Sequence, residues 1–148
     1  MDIQDPNELG RLAVKVRLIT EAQLVEARDE LGEKTPDLMT MLRTLERKGW
    51  LTPWQSGKLL KGDEDGYFLG GYRLLYKVAS GSFGRVFRAE DPRDGRVVAV
   101  KVLRRRWSED QVRIDLFIRE GRVGQTLKHS NIVEVLTMSQ DPTTKQYF

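Results

Sequence analysis

The pattern of apolar and polar positions changes once along the chain. From residue 5 to residue 62, apolar side chains recur three or four positions apart, which predicts helices. From residue 72 to residue 104 they form short runs between turn residues, which predicts strands. The polar segment Lys61–Gly66 lies between these regions and predicts a linker. We therefore expect an α+β protein with two units of different secondary structure.

Each predicted helix of the first region begins with a residue that can accept a hydrogen bond from an unpaired amide of the first turn. These N-cap residues are Asp5, Thr20, Thr35 and Thr52. Prolines at the first helical position and glycines after the apolar stripes support the same boundaries, at Pro6, Pro36, Pro53, Gly32, Gly49 and Gly62. We predict two helical hairpins that pack into a small four-helix module over residues 1–66.

A weak internal repeat runs through this module. The sequence Leu-Ile-Thr-Glu-Ala-Gln at Leu18–Gln23 returns as Trp-Leu-Thr-Pro-Trp-Gln at Trp50–Gln55. In both copies a glutamine follows a threonine at the spacing of a capping box, and Glu8 has this spacing after Asp5. The two tryptophans of the second copy can be core anchors or a patch that binds a partner.

The second region predicts an antiparallel sheet. Three strands are expected in a meander, at Tyr72–Ala79, Arg85–Glu90 and Arg96–Leu103. A helix that ends near Lys128 follows them. An apolar run through Met138 then predicts a fourth strand, and Lys145–Phe148 predicts a fifth.

Composition narrows the function classes. The 148 residues include 25 basic and 22 acidic side chains, which are interspersed, so the net charge of +3 indicates no nucleic-acid partner. The run Arg104–Arg106 predicts a solvated loop. The absence of cysteine excludes disulfides and thiolate metal sites. Because no apolar run approaches the roughly 18 residues of a membrane span, we expect a soluble, cytoplasmic chain with no membrane segment.

A glycine-rich turn joins the first two predicted strands. Gly81 and Gly84 leave room for backbone amides to approach phosphate oxygens, and Phe83 at the tip would shield the phosphates from water. Glycines in a hairpin also occur for backbone geometry alone, so this turn by itself leaves both interpretations open.

The predicted helix after the sheet strengthens the phosphate interpretation. One face of it carries Glu120 within an otherwise apolar stripe, formed by Val112, Leu116, Val123 and Leu127. A buried carboxylate needs a positive partner, and Lys101 on the third strand is available. We therefore predict an ion pair between Lys101 and Glu120, either as part of a phosphate site or as a purely structural pair. Phe117, Gly121 and Gly124 form a second face, which predicts close approach of this helix to the sheet.

Residues 70–148 resemble the amino-terminal lobe of a bacterial serine/threonine protein kinase of the eukaryotic type. The resemblance rests on several motifs in family order: Ala79-x-Gly81-x-x-Gly84-x-Val86, Val98-Ala99-Val100-Lys101, Phe117-Ile118-Arg119-Glu120 and His129-Ser130-Asn131-Ile132-Val133. Residues 1–66 also resemble a helical extension that precedes the kinase domain in planctomycete kinases. We therefore expect a helical accessory module at 1–66 and a kinase N-lobe with a five-stranded sheet and helix C at 67–148.

The resemblance implies an ATP site. Lys101 and Glu120 are the implied catalytic pair, in which Lys101 contacts the phosphates, while Val86 and Ala99 sandwich adenine. The implied nucleotide-binding residues are Ala79, Gly81, Ser82, Phe83, Gly84, Val86, Ala99 and Lys101. Ala79 departs from the family pattern, which has glycine there, so we expect stiffer or weaker nucleotide binding.

The family's hinge, catalytic loop and Mg²⁺ ligands are expected beyond residue 148, so the chain alone is predicted to be inactive. The implied partners are ATP, Mg²⁺ and a protein substrate, and self-association through exposed apolar strands is a further expectation. A different function is also consistent with the sequence: a non-catalytic scaffold with a pseudokinase lobe and a helical docking module. Ala79 favours the scaffold, whereas the presence of both Lys101 and Glu120 argues against it.

Overall fold

The computed structural model describes residues 2–32, 36–82 and 84–148. The chain folds as two compact units, one that ends at Phe68 and one that runs from Leu69 to Phe148. Each unit has its own set of secondary-structure elements.

The first unit contains four α-helices in its described residues: α1 Pro6–Lys15, α2 Glu21–Leu31, α3 Leu38–Arg47 and α4 Pro53–Leu60. Two of them begin with complete capping boxes. In α2 the Gln23 amide donates to Thr20 Oγ1 at 3.1 Å, while the Thr20 amide donates to Gln23 Oε1 at 2.8 Å. Thr52 and Gln55 repeat this arrangement in α4. The sequence repeat therefore corresponds to two identical helix starts.

The start of α3 differs from the prediction. Its N-cap is Asp37, which accepts from the Thr40 amide at 2.9 Å, so Pro36 precedes the helix and does not occupy its first position. A carboxylate two residues downstream therefore caps the helix, while the predicted cap Thr35 lies outside the described residues. Asp5 caps α1 as predicted, through the amide of Asn7.

The core of the first unit collects the apolar stripes of its helices. The buried side chains with almost no exposure include Leu9, Ala13, Leu24, Ala27, Met41, Leu42, Leu45 and Leu59. Trp50 packs against this core but stays half-buried, and its ring lies 4.9 Å from Lys48 Nζ. Gly10 permits the close approach of α1 to α2, because a Cβ there would lie 2.7 Å from a Leu24 methyl group.

The second unit is built on an antiparallel sheet with strand order β1-β2-β3-β4. Its strands are β1 Phe68–Leu69, β2 Tyr72–Ser80, β3 Gly84–Glu90 and β4 Val97–Leu103. The last three lie within one residue of the predicted boundaries. In the register of β3 and β4, Val86 is opposite Lys101.

The predicted fourth and fifth strands are wrong. Residues 132–138 form no strand, and the end of the chain contributes only an isolated bridge between Gln140 and Tyr147. The Leu103 amide donates to the Tyr147 carbonyl at 3.0 Å, so the end of the chain lies beside β4 without forming a ladder. An apolar run alone does not establish a strand, because a ladder also needs backbone hydrogen bonds to a neighbouring strand.

The turn between β1 and β2 is fastened to the end of the chain. The buried carboxylate of Asp141 accepts from the Gly70 amide at 2.8 Å. Gly70 has φ +55°, and a Cβ there would lie 2.1 Å from the Phe148 ring, so only glycine fits. Burial by itself raises the pKa of Asp141, but the amides of Gly70, Thr144 and Thr143 lower that pKa overall.

After β4, a 3₁₀ helix at Arg105–Trp107 leads into helix α5, Gln111–Thr126. The face of α5 that packs inward carries Ile114 and Phe117. The predicted stripe faces solvent instead, with exposures of 70% at Val112 and 53% at Leu116. The expectation that Glu120 lies on a buried stripe was therefore wrong.

The glycines of α5 explain which face packs. A Cβ at Gly121 would lie 2.3 Å from Met138 Sδ, and one at Gly124 would lie 2.5 Å from a Val135 methyl group. The helix packs through these glycines together with Ile114 and Phe117, and Val112, Leu116 and Val123 face solvent. The close approach predicted for these glycines is to residues 135–138, which are not part of the sheet.

Candidate functional site

Lys101 on β4 and Glu120 on α5 form an ion pair. Lys101 Nζ lies 2.6 Å from Glu120 Oε1, and the two side chains remain 44% and 62% exposed. An ion pair this exposed contributes only about 0–1 kcal/mol to stability. Relief of a buried charge therefore does not explain the pair, and its main effect is to fix the position of the lysine ammonium group.

The pair lies in the wall of a cavity of about 660 Å³. Side chains from β3, β4, α5 and residues 133–138 line it, among them Val86, Ala99, Phe117 and Met138. A cavity of this size, with apolar walls and a few charged groups, is typical of sites for small molecules. The arrangement can hold a flat apolar group against Val86 and Ala99 and an anionic group near Lys101.

The glycine turn between β2 and β3 is closed by the Gly81 amide, which donates to the Gly84 carbonyl at 2.9 Å. Its two glycines differ in their surroundings. A Cβ at Gly84 would lie 2.7 Å from the Val102 carbonyl oxygen, so the sheet itself requires glycine there. Among the described residues, a Cβ at Gly81 would meet nothing closer than the Gly84 carbonyl oxygen at 3.8 Å.

The residues predicted to bind nucleotide fall into two groups. Three line the cavity, namely Val86, Ala99 and Lys101, and Glu120 of the predicted catalytic pair lines it with them. The others belong to the glycine turn and do not line it: Ala79, Gly81, Ser82 and Gly84. Phe83 lies outside the described residues.

Comparison with known families identifies the fold. Residues 72–148, just over half of the chain, match the family described as the protein kinase domain. The chain belongs to the protein kinase domain family. The ion pair, the cavity and the glycine turn all lie within this kinase region.

The relatives of this kinase chain include bacterial and eukaryotic proteins. It is 44% identical over 66 residues to the serine/threonine-protein kinase PknA of Mycobacterium tuberculosis, covering 45% of this chain and 15% of the relative. It is 43% identical over 65 residues to the cell division control protein 2 homolog 1 of Trypanosoma brucei brucei, and this match covers 44% of this chain and 21% of the relative. It is 30% identical over 76 residues to the serine/threonine-protein kinase PknD of Chlamydia caviae, and this match covers 51% of this chain and 8% of the relative. The matches therefore span less than a quarter of each relative.

Sequence reasoning missed a group of side chains that contact the glycine turn of this kinase. Arg104 Nε donates to the Gly81 carbonyl at 2.7 Å, and Arg104 Nη2 donates to Ser80 Oγ at 2.7 Å. The Ser82 carbonyl accepts from Arg106 Nη2 and from Trp107 Nε1, both at 3.0 Å. Arg105 and Arg106 are exposed, as predicted for a solvated segment, and Arg104 is half-buried. The segment is a 3₁₀ helix from Arg105 to Trp107 and not a loop, and the prediction did not include its contacts with the glycine turn. No local sequence signal links side chains more than twenty positions apart.

These arginines also crowd one another. Burial lowers the pKa of Arg85, and the charges of Arg104 and Arg105 lower this pKa further. The positive charge on this side of the kinase sheet is therefore concentrated next to the glycine turn.

Two kinds of feature are absent from the described parts of the kinase chain. Within residues 2–32, 36–82 and 84–148, no cluster of three or more Asp, Glu or His side chains could hold a metal ion. In the same ranges no helix has the length and apolar character needed to cross a membrane.

Proposed function

We propose that this chain is the ATP-binding, N-terminal part of a serine/threonine protein kinase. The observation that carries the proposal is the 2.6 Å ion pair between Lys101 and Glu120, in the wall of a cavity that Val86 and Ala99 also line. When bound, ATP supplies the phosphoryl group that the full-length protein transfers to serine or threonine side chains of a protein substrate.

The residues of this chain fit ATP. Val86 and Ala99 offer apolar surface for adenine, and the cavity volume of about 660 Å³ lies in the range of small-molecule sites. The Lys101 ammonium group is a flexible point charge suited to phosphate, and Glu120 restricts where it can lie. Among the described residues, the atom nearest to a Cβ at Gly81 lies 3.8 Å away, so this space is available to a ligand.

The glycine turn has a more limited role in this proposal than the motif alone indicates. Gly84 serves the sheet, so we assign the approach to phosphate to Gly81 and its neighbour Ser82. Ala79 is exposed on β2 and pairs with Val86, so its methyl group adds bulk next to the proposed adenine contact. We propose that Phe83, between Ser82 and Gly84, shields the phosphates.

The described residues contain no cluster of three or more Asp, Glu or His side chains that could hold a metal ion. We derive no role for Mg²⁺ within this chain, and we propose that its ligands, the hinge and the catalytic loop lie beyond residue 148. The matches cover only 15% of the PknA relative, which leaves room for these elements. On this proposal the 148 residues alone transfer no phosphate.

The finer assignments are part of the same proposal. We assign residues 1–66 to a helical accessory module of the planctomycete type and residues 67–148 to a kinase N-lobe. The module has no proposed chemistry, and we propose docking or regulation as its role. A cytoplasmic location remains a prediction.

The kinase proposal is tested by phosphoryl transfer in the full-length protein. We expect Lys101→Met to lower the rate by at least about a hundredfold, as for other groups that stabilise charge in a transition state. Lys128→Met is the matched control, because Lys128 forms a similarly exposed ion pair with Glu134 at 3.0 Å. Its rate should stay within about twofold of wild type. Equal labelling by wild type and Lys101→Met would refute the role of Lys101.

A second candidate function is a non-catalytic scaffold with a pseudokinase lobe. The observation that favours it is the group of solvent-facing apolar side chains on α5 and at its C-cap, formed by Val112, Leu116, Val123 and Leu127. Such a group suits a protein partner, or a second copy of the chain in the self-association we propose. Light scattering that finds only monomer at high concentration would rule out self-association. A full-length protein that binds partners but shows no phosphoryl transfer would favour the scaffold.

A further inference from the structure

The short segment Arg104–Trp107 contacts the glycine turn from one side. Four hydrogen bonds run from Arg104, Arg106 and Trp107 to residues 80–82. Three of them end on main-chain carbonyl oxygens, and one ends on the Ser80 hydroxyl. Hydrogen bonds from charged donors are stronger than neutral ones, so two guanidinium groups are an effective means of fixing a short loop.

A loop rich in glycine and serine has high conformational freedom when nothing fixes it. Any ligand that needs one conformation of this loop then loses affinity, because ordering the loop costs free energy. Hydrogen bonds that already hold the Gly81 and Ser82 carbonyls reduce that cost. Their absence would weaken ligand binding without removing any atom that touches the ligand.

The same segment joins the two elements of the ion pair. It follows β4, which carries Lys101, and precedes α5, which carries Glu120. The centre of the Trp107 ring lies close to two guanidinium groups, 4.8 Å from that of Arg106 and 3.7 Å from that of Arg113 in the first turn of α5. A displacement of α5 would therefore move Trp107 and, through the hydrogen bond of its indole N–H to Ser82, the glycine turn.

We propose that Arg104, together with Arg106 and Trp107, acts as a latch that positions the glycine turn for nucleotide and couples it to helix α5. The proposal rests on the ATP-binding function proposed above. These are positioning residues, since they act on the turn and have no assigned contact with the nucleotide.

The experiment compares Arg104→Ala with Arg105→Ala. Both changes remove one positive charge, and both charges act on Arg85. The Arg105 side chain, however, makes no hydrogen bond to the described residues of the turn, so it controls for charge alone. Trp107→Phe removes the indole N–H that contacts Ser82 and retains an aromatic ring near the guanidinium groups of Arg106 and Arg113.

The first readout is amide hydrogen exchange of residues 78–88 in the 148-residue chain without nucleotide. We expect Arg104→Ala to speed exchange there about tenfold, Trp107→Phe to speed it less, and Arg105→Ala to leave it within twofold. The second readout is the KM for ATP of the full-length kinase. It should rise about tenfold in Arg104→Ala, with a smaller change in kcat, and stay near wild type in Arg105→Ala.

Equal exchange rates in Arg104→Ala and Arg105→Ala would overturn the latch. Faster exchange in Arg104→Ala with an unchanged KM for ATP would overturn its role in nucleotide binding. Failure of the proposed function has a different signature, because wild type and Lys101→Met would then show the same phosphoryl transfer. The exchange measurement uses no ATP, so it decides whether the latch exists in either case.

Discussion

The two units of this chain bury their apolar side chains to different extents. The helices of the first unit place their stripes in one core, where Leu9, Leu45 and Leu59 have essentially no exposure. Most of the exposed large apolar side chains among the described residues belong to the second unit, and Val133 is 83% exposed. The first unit buries most of its large apolar side chains in its own core, whereas the second unit leaves apolar surface exposed that suits a ligand or partner.

The largest effect that tests this contrast is expected from a pair of leucine-to-alanine substitutions. Leu45→Ala in α3 should lower the free energy of unfolding by about 2–5 kcal/mol, because it opens a cavity in a closed core. Leu116→Ala in α5 should change it by less than about 0.5 kcal/mol, because that side chain is 53% exposed. Urea unfolding followed by circular dichroism measures both. Similar losses in the two variants would contradict the contrast.

A smaller difference in the free energy of unfolding is expected between alanine substitutions at the two glycines of the turn. Gly84→Ala should cost about 1–3 kcal/mol of stability, because its Cβ would meet the Val102 carbonyl oxygen at 2.7 Å. Gly81→Ala should leave stability within about 0.5 kcal/mol and instead raise the KM for ATP of the full-length protein. Urea unfolding and ATP titration of the rate are the measurements. A stability loss in Gly81→Ala equal to that in Gly84→Ala would show that both glycines serve the sheet.

The smallest effect concerns acid stability of the second unit. Hydrogen bonds from Arg93 lower the pKa of the Asp91 carboxyl from 3.8 to about 2. Because the folded-state pKa is the lower one, Asp91 stabilises the fold fully above about pH 4 and loses this contribution as the pH falls towards 2. Unfolding free energies of wild type and Asp91→Asn should therefore converge between pH 4 and pH 2. A difference that stays constant over this range would contradict the role of the carboxylate.

The sequence allowed better prediction where the determining contacts are local. The capping boxes of Thr20 and Thr52 connect residues three positions apart, so the pattern contained all the information. Asp37 caps α3, two residues after the threonine that the pattern selected, and both residue types are suited to an N-cap. A local pattern can identify such a start only to within a few residues.

Prediction in the second unit failed where distant contacts decide the structure. The ion pair of Lys101 and Glu120 was expected from a buried stripe, yet the structure has the pair with that stripe exposed. Packing of Gly121 against Met138 sets the rotation of α5, and periodicity alone cannot reveal this. The contacts of Arg104 with the glycine turn likewise join parts of the chain with no common local pattern.

The fastening of Gly70 to the end of the chain has a consequence for synthesis. In the first unit, the Ile3 amide donates to the Leu60 carbonyl and so joins the start of the unit to the end of α4. This hydrogen bond can form once the first unit has left the ribosome. The second unit needs Asp141 and Phe148 before the turn at Gly70 can settle. The helical unit is therefore expected to fold earlier during translation than the second unit, whose turn at Gly70 forms its contacts only after residues 141–148 have been synthesised.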